Sequence, residues 1–307
     1  KRCSIGLSHF AVPNVTDSTL PQSGTPADQA DTVMRLQGKA AGDFLHGQTT
    51  ADFKACAPGD VRYAAFCNPK GRVLADILAV VVSDTEVLLR GRQPVMLKLA
   101  EHLTPYLAFS RCELSPTDWL VERTPGIQAE PQATLEYDAK NLTVVTIPVE
   151  AGYQEQWRPP CSREDREPSA QSWPDILGNR ARIELQTVGQ YLPQDLNYDL
   201  NGTVSFSKGC YTGQEIIARL HYRGTPKRRL HRAQVAAPVA SGDALIDAEN
   251  RPVGSIVNHC QHSEHTELLL ELVPAAAAGR VTLRAGGEAL THISPCHEDN
   301  DQSTGSR

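Results

Sequence analysis

The apolar residues of this 307-residue chain fall mostly in short runs with β-branched weight, and a few stretches follow helical spacing. Thr32 to Leu36 predicts a strand, and Ala40 to His46 a short helix stopped at Gly47, since helices often end on glycine. Val61 to Phe66 and Arg72 to Val82 predict a hairpin about the turn Asn68-Pro69-Lys70-Gly71, with Val87 to Arg90 continuing the strands. Val95, Met96, Leu99, Ala100 and Leu103 share a helical face that opens at Pro94, and Thr104-Pro105 is expected to stop that helix. Cys112 to Val121 and Leu142 to Val149 predict further strands. Pro174 to Leu177 begins a helix leading into an alternating strand, Arg180 to Leu185, with one face to solvent. Ahead of all this, Leu7 to Val12 suits a strand, while Asn14 to Asp31 and Arg158 to Ser172 have the composition of loops.

After Gly224-Thr225-Pro226 the texture changes. Apolar runs at Leu230 to Ala236, Ala244 to Ile246, Pro252 to Val257, Leu268 to Leu272 and Val281 to Leu283 predict a small β-barrel. The pattern therefore reads as mixed α and β followed by β, with a boundary near residue 224.

Composition narrows the class. A net charge of −6 argues against general nucleic-acid binding. No run approaches the roughly 18 apolar residues of a membrane helix, and no signal-type segment opens the sequence, so the expectation is a cytoplasmic protein without a membrane partner. The eight cysteines are scattered with no CxxC pair, which fits neither a disulfide scaffold nor a ribbon-type zinc site. His259, Cys260, His262 and His265 have metal-ligand chemistry, but they are expected in a loop between two strands and lack closed-site spacing, so no metal is assigned.

The stretch Val204 to Gly224, VSFSKGCYTGQEIIARLHYRG, concentrates the chemistry. A short run, Val204 to Phe206, predicts a strand, two glycines (Gly209 and Gly213) turn the chain, and a helix begins near Gln214-Glu215. Cys210 is thereby placed in a strand-to-helix turn. Lys208 lies two positions before it, and both a cation and a helix N-terminus favour a thiolate. Glu215 opposes this unless it pairs with Arg219 at i+4. Basic residues then gather from Arg219 through His221, Arg223, Lys227, Arg228, Arg229 and His231 to Arg232. They read as a solvated connector, or as a patch for an acidic partner or a polyanionic ligand tail.

The string KGCYTGQE, Lys208 to Glu215, resembles the signature of YgfZ-type folate-binding proteins, relatives of the aminomethyltransferase (T-protein) of the glycine cleavage system. LQGKAAGDFLHGQTTAD (Leu36 to Asp52), NPKGRVLAD (Asn68 to Asp76) and RIEL (Arg182 to Leu185) are similar to further segments of that family. The resemblance implies an α+β fold of three domains packed as a T-protein-like ring, closed by a C-terminal β-barrel. It divides the chain into a folate-binding module, 1–223, and a barrel, 224–307. The module's lobes are expected at about 1–58 with 114–223, and at about 59–113. The implied cofactor is tetrahydrofolate or a one-carbon derivative. The implied role is support of assembly or repair of iron-sulfur enzymes, tRNA-modifying ones included, through transient contact and as a monomer. In that reading Cys210 is the working thiol, with Lys208 beside it. Glu184 accepts the paired N–H donors of the pterin, and Tyr211, Gln214, Arg219 and Asp76 complete the cofactor set. Where the T-protein carries paired acids, this chain reads Ala75-Asp76, which weakens the alternative of an active aminomethyltransferase or demethylase. A non-catalytic partner-binding module is the remaining alternative.

Overall fold

A computed structural model describes residues 30–54, 56–125, 132–138, 141–149, 152–160, 172–262 and 264–297. The expected strand at Leu7 to Val12, the loop before residue 30 and most of the Arg158 to Ser172 loop lie outside these residues, as do Cys3 and Cys161. Strands β1 (Asp31–Gln37), β2 (Val61–Cys67), β3 (Val73–Ser83), β4 (Glu86–Arg92) and β5 (Glu113–Pro116) form an antiparallel sheet in the order β2-β3-β4-β1-β5. Helix α1 (Ala41–Gln48) follows β1, and α2 (Gln93–Ser110) follows β4. A second sheet takes β6 (Leu120–Pro125), β7 (Thr134–Asp138), β8 (Asn141–Pro148) and β9 (Tyr153–Arg158) in the order β6-β9-β8-β7. The expected lobe boundary near residue 58 falls inside the first sheet, since β1 pairs with β4 and β5.

The chain then runs through α3 (Ser172–Leu177) and α4 (Gln214–Arg223) to a third sheet. This sheet contains β10 (Arg229–Val235), β11 (Ala244–Ile246), β12 (Pro252–Gln261), β13 (Thr266–Leu272), β14 (Thr282–Leu283) and β15 (Thr291–Pro295). Its order is β14-β11-β12-β13-β10-β15, so β14 and β15 are edges and the sheet is an open, curled half-barrel. Register shifts between β10 and β15, between β11 and β12 and between β12 and β13 supply local bends.

The near-continuous apolar run of β3 is explained by burial on both faces. Ile77, Ala79 and Val81 join a core with Phe44 and Leu45 of α1 and with Val95, Met96 and Leu99 of α2. Leu78, Val80 and Val82 turn the other way and meet Trp119, Val121, Val145, Ile147 and Trp157 of the second sheet's layer. Period-two alternation thus lets one strand serve two cores.

At one end of that second interface the apolar pairs give way to charge. Register places Arg90 opposite Leu78, Asp31 opposite Arg92 and Arg123 opposite Glu155. Arg90 Nη2 lies 2.7 Å from Glu155 Oε1, and Arg123 Nη2 lies 2.8 Å from the same oxygen and 2.9 Å from Asp31 Oδ2. Arg182 reaches Asp76 at 2.6 Å, Asp31 at 2.9 Å and Asp175 of α3 at 3.2 Å, and Arg92 completes the set against Asp31 and Asp175. Arg90, Arg92, Arg123 and Arg182 therefore face Asp31, Asp76, Glu155 and Asp175, a balance that buried charge requires. Burial pushes the Asp31 carboxyl up, but Arg182, Arg92, Arg90 and Arg123 together outweigh it and hold the group well below the usual carboxylate range.

Three sequence expectations change. Arg180 to Leu185 is not a strand: its first five residues are all buried, and the chain enters a single 3₁₀ turn at Leu185–Thr187. The arginines here reach inward because carboxylates wait inside. Helix α2 does not stop at Thr104-Pro105 but runs to Ser110. Pro105 and Glu101 lie on the exposed face, where the carbonyl deprived of its N–H partner meets water, while Leu103 and Leu107 keep the helix in the core. Val204 to Phe206 is likewise not a strand.

Removing one member of the charge network should be costly. Arg182→Met leaves Asp31, Asp76 and Asp175 short of a partner, so urea unfolding should show a loss of about 3–5 kcal/mol. A loss below about 1 kcal/mol would show that the three carboxylates find other partners.

Candidate functional site

Two stretches far apart in sequence meet around the KGCYTGQE turn, and a third part of the candidate site is built separately. The first is the end of α1. Thr50 N and O bond Ala65 O and Ser205 N at 3.0 and 2.9 Å, and Thr50 Oγ1 donates to Thr203 O at 2.7 Å, so residues 203–205 dock on Thr50 instead of joining a sheet. Lys208 then turns inward. Its buried ammonium donates to the carbonyl oxygens of His46 and Thr49, the latter at 2.6 Å, and lies 4.7 Å from the Tyr211 ring centroid. The final carbonyls of a helix lack intrahelical donors, and a lysine suits them in charge and in hydrogen bonding. Lys208 was expected as the cation beside Cys210; its partners are instead the carbonyls at the end of α1. Burial lowers its pKa to about 8.

The second stretch is the Asn68 to Gly71 turn between β2 and β3. Gly213 has φ +84° and sits so close to this turn that a Cβ there would come within 2.5 Å of Asn68 O. Only glycine fits both the left-handed backbone and the contact. Gly213 also precedes α4, whose Ile217 is fully buried. Gln214 Nε2 reaches back to Gly209 O at 3.5 Å, and Tyr211 is buried, its phenol pKa raised by burial. These contacts leave Gly209 and Cys210 exposed at the crown of the turn. Among the described cysteines, Cys210 is the exposed one. Burial pushes the thiols of Cys67 and Cys296 up to about 12 and that of Cys260 up to about 11, and raises those of Cys56 and Cys112.

The third part lies where the sheets converge. Asp76 Oδ2 takes Arg182 Nε and Asp76 Oδ1 takes Ile183 N, each at 2.6 Å. Asp76 is buried, and β3 is an inner strand. Asp76 is a clamp on residues 182–183, each of its oxygens holding one donor of the chain. Asn258 of β12 grips the same segment from the third sheet: its Oδ1 accepts Arg182 N at 2.7 Å, and its Nδ2 donates to Arg182 O at 3.0 Å and to Glu184 Oε1 at 2.9 Å. Glu184 is 2% exposed and is aimed by this contact. Beside Asp76, Tyr63, Arg180, Ala181, Tyr198 and Thr203 line a cavity of about 10 Å³. Arg180 lies flat on Tyr63, 3.4 Å from the ring centroid, and donates to Thr203 Oγ1 at 3.2 Å. Glu184 is not among the residues that line this cavity, which is too small for a fused ring system while Arg180 rests on Tyr63.

The basic patch is partly neutralised. Arg228, Arg229 and Arg232 pair with Glu271, Asp199 and Glu267, and His231 is buried. Arg219, Arg223 and Lys227 are exposed, and no ion pair joins Glu215 to Arg219. His259 and Cys260 lie within β12, which extends past the predicted end at Val257, and not in a loop. Sequence reasoning missed Asn258, Asp31, Asp175 and Glu155, whose roles depend on contacts across sheets. It also passed over His46, although that residue lies inside the quoted LHGQTTAD segment.

The fold is that of a known class: the chain superposes on the glycine cleavage system aminomethyltransferase T from Bartonella henselae with a TM-score of 0.65 and 16% identity, covering 88% of this chain and 85% of the other. In sequence it is similar to the tRNA-modifying protein YgfZ of Vibrio vulnificus (strain YJ016), 27% identical over 275 residues, 83% of this chain and 80% of the relative. It is 26% identical over 265 residues to the tRNA-modifying protein YgfZ of Blochmanniella pennsylvanica (strain BPEN), 75% of this chain and 80% of the relative. No family model matches. The chain is thus YgfZ-like in sequence and T-protein-like in fold. Among the described residues, no helix is long and apolar enough to cross a membrane.

Two measurements follow from the turn's geometry. In an iodoacetamide time course near pH 7.5, resolved by peptide mass spectrometry, Cys210 should label first among the six described thiols. A faster buried thiol such as Cys67 would show that the turn is packed differently. For Lys208 the folded pKa is depressed, so between about pH 8 and 10.4 the unfolded chain holds a proton that the folded one has lost, and stability rises with pH. The unfolding midpoint of the wild type minus that of Lys208→Met should therefore shift in favour of the wild type between pH 7.5 and 10. A flat difference would place the ammonium in solvent.

Proposed function

We propose that this protein binds tetrahydrofolate or a one-carbon derivative and supports assembly or repair of iron-sulfur enzymes, tRNA-modifying ones among them, with Cys210 as its working thiol. The observation that carries the reading is the exposed Cys210, held on a turn that Lys208, Thr50 and Gly213 fix from beneath. Similarity to proteins named as tRNA-modifying, on the fold of a folate-dependent transferase, supports the client class and the cofactor. Glu184 is the acceptor for the pterin, oriented by Asn258. Tyr211 and Gln214 belong to the thiol's surroundings, and Arg219 is exposed on the helix that follows. Bound folate supplies one-carbon chemistry; the chain supplies a held carboxylate and a nucleophilic sulfur. The aminomethyltransferase alternative is disfavoured because both oxygens of Asp76 are engaged within the protein.

Calorimetric titration with tetrahydrofolate should show binding that Glu184→Ala weakens about ten- to hundred-fold, the worth of a charge-assisted hydrogen-bonded contact of roughly 1.5–3 kcal/mol. Cys210→Ser should keep that affinity and lose the support of iron-sulfur enzymes in a strain lacking the protein. No binding at millimolar folate overturns the cofactor, and full complementation by Cys210→Ser overturns the thiol.

A further inference from the structure

Behind the Cys210 turn stands an imidazole that the reading above does not use. His46 is 7% exposed, and its Nδ1 lies 3.1 Å from Asp52 Oδ1 and 3.4 Å from Phe53 N. The two neighbours compete for Nδ1. The nearer carboxylate accepts Nδ1–H, which leaves the lone pair on Nε2. Nε2 has no hydrogen-bond partner among the described residues, and it points at the backbone beside the thiol: a Cβ built on Gly209 would lie 3.5 Å from it. Gly209 has no side chain, so the space between the ring and the next residue stays open. Consecutive Cα atoms are about 3.8 Å apart, which puts Cys210 one step away, and its side chain is exposed.

We propose that Cys210, His46 and Asp52 form a thiol, imidazole and carboxylate relay in which His46 Nε2 takes the proton of the Cys210 thiol. The S–H bond breaks, the electron pair stays on sulfur, and the proton is held on Nε2 as imidazolium opposite Asp52. Asp52 is a positioning residue that sets the tautomer and balances the imidazolium.

Burial, then the Lys208 ammonium, lowers the pKa of His46, with Lys54 adding to this, so the resting ring is neutral; Asp52 opposes the shift and is the group that favours the imidazolium. The Lys54 N–H, 2.9 Å from Asp52 Oδ1, is the chief group keeping Asp52 ionised. The arrangement also accounts for a lysine that faces away from solvent: Lys208 caps the carbonyl of His46 and fixes the residue that carries the base.

The relay rests on Cys210 being the working thiol, and its test needs neither folate nor client. Iodoacetamide labelling of Cys210 in the full-length protein is followed from pH 5 to 10.5 in the wild type, His46→Gln and Asp52→Asn. The wild type should show a limb of reactivity near neutrality. His46→Gln should lose it, reacting at least about threefold more slowly at pH 7 and rising once near pH 8.5, as an unassisted thiol does. The curves should converge above pH 10, where no base is needed; a merely structural lesion would not converge. Asp52→Asn should fall between the two and serves if His46→Gln fails to fold. Fast labelling unchanged by either substitution overturns the relay and leaves the thiol's role standing. A single alkaline rise in the wild type overturns the relay and counts against the thiol as well.

Discussion

The structure depends on Arg182. One guanidinium answers carboxylates from β1, β3 and α3, while the backbone on either side of it is gripped by Asn258 of the third sheet. Asp31 and Asp175, which it neutralises, also bind Arg123 of the second sheet. Three sheets with separate apolar interfaces are thereby indexed to one point. Hydrophobic contact alone is non-directional and would tolerate sliding between such layers; a buried ion pair tolerates very little, since a small displacement leaves charge uncompensated. Glu184, two residues on, inherits that fixed position, so the central carboxylate is set by the same contacts that set the fold.

The Cys210 turn is organised on another principle. Its backbone is pinned by ordinary hydrogen bonds to Thr50, by a steric fit at Gly213 and by one buried ammonium, and its outer rim is left bare. Rigidity beneath and exposure above is how a reactive side chain is presented without collapsing into the core. The two regions are held by different sets of residues. Substitution of Glu184 therefore need not disturb the thiol.

Much of this was legible in the sequence, and the exceptions share a cause. The β2-β3 hairpin, the apolar face of α2, the start of α4 and the runs of the third sheet followed from local periodicity and turn chemistry. The KGCYTGQE string located the thiol. What failed were residues whose environment is set from far away. Alternation from Arg180 to Leu185 looked like a half-solvated strand, because no local signal distinguishes an arginine bound for water from one bound for buried aspartates. Pro105 looked like a stop, because the exposure of its helix face is a tertiary fact. Lys208 was assigned to the thiol on proximity in sequence, whereas the unsatisfied carbonyls that claim it lie at the end of a helix 162 and 159 residues earlier.

That last contact bears on how the molecule comes into being. The bonds from Lys208 to His46 and Thr49 span 162 and 159 residues, and that from Thr50 to Thr203 spans 153. Until residue 208 has left the ribosome, the carbonyls of His46 and Thr49 lack the Lys208 donor, and Thr50 has its Ala65 partner but not Thr203 or Ser205. Closing loops of this length is slow, because their entropy is lost before the contacts reward it. The first sheet must therefore wait, with its network unfinished until Asp175 and Arg182 arrive, and become native in a late step shared with the turn that carries Cys210. A nascent chain shorter than this turn has neither a finished core nor a finished site, and the thiol is presented only by a molecule that has completed its fold.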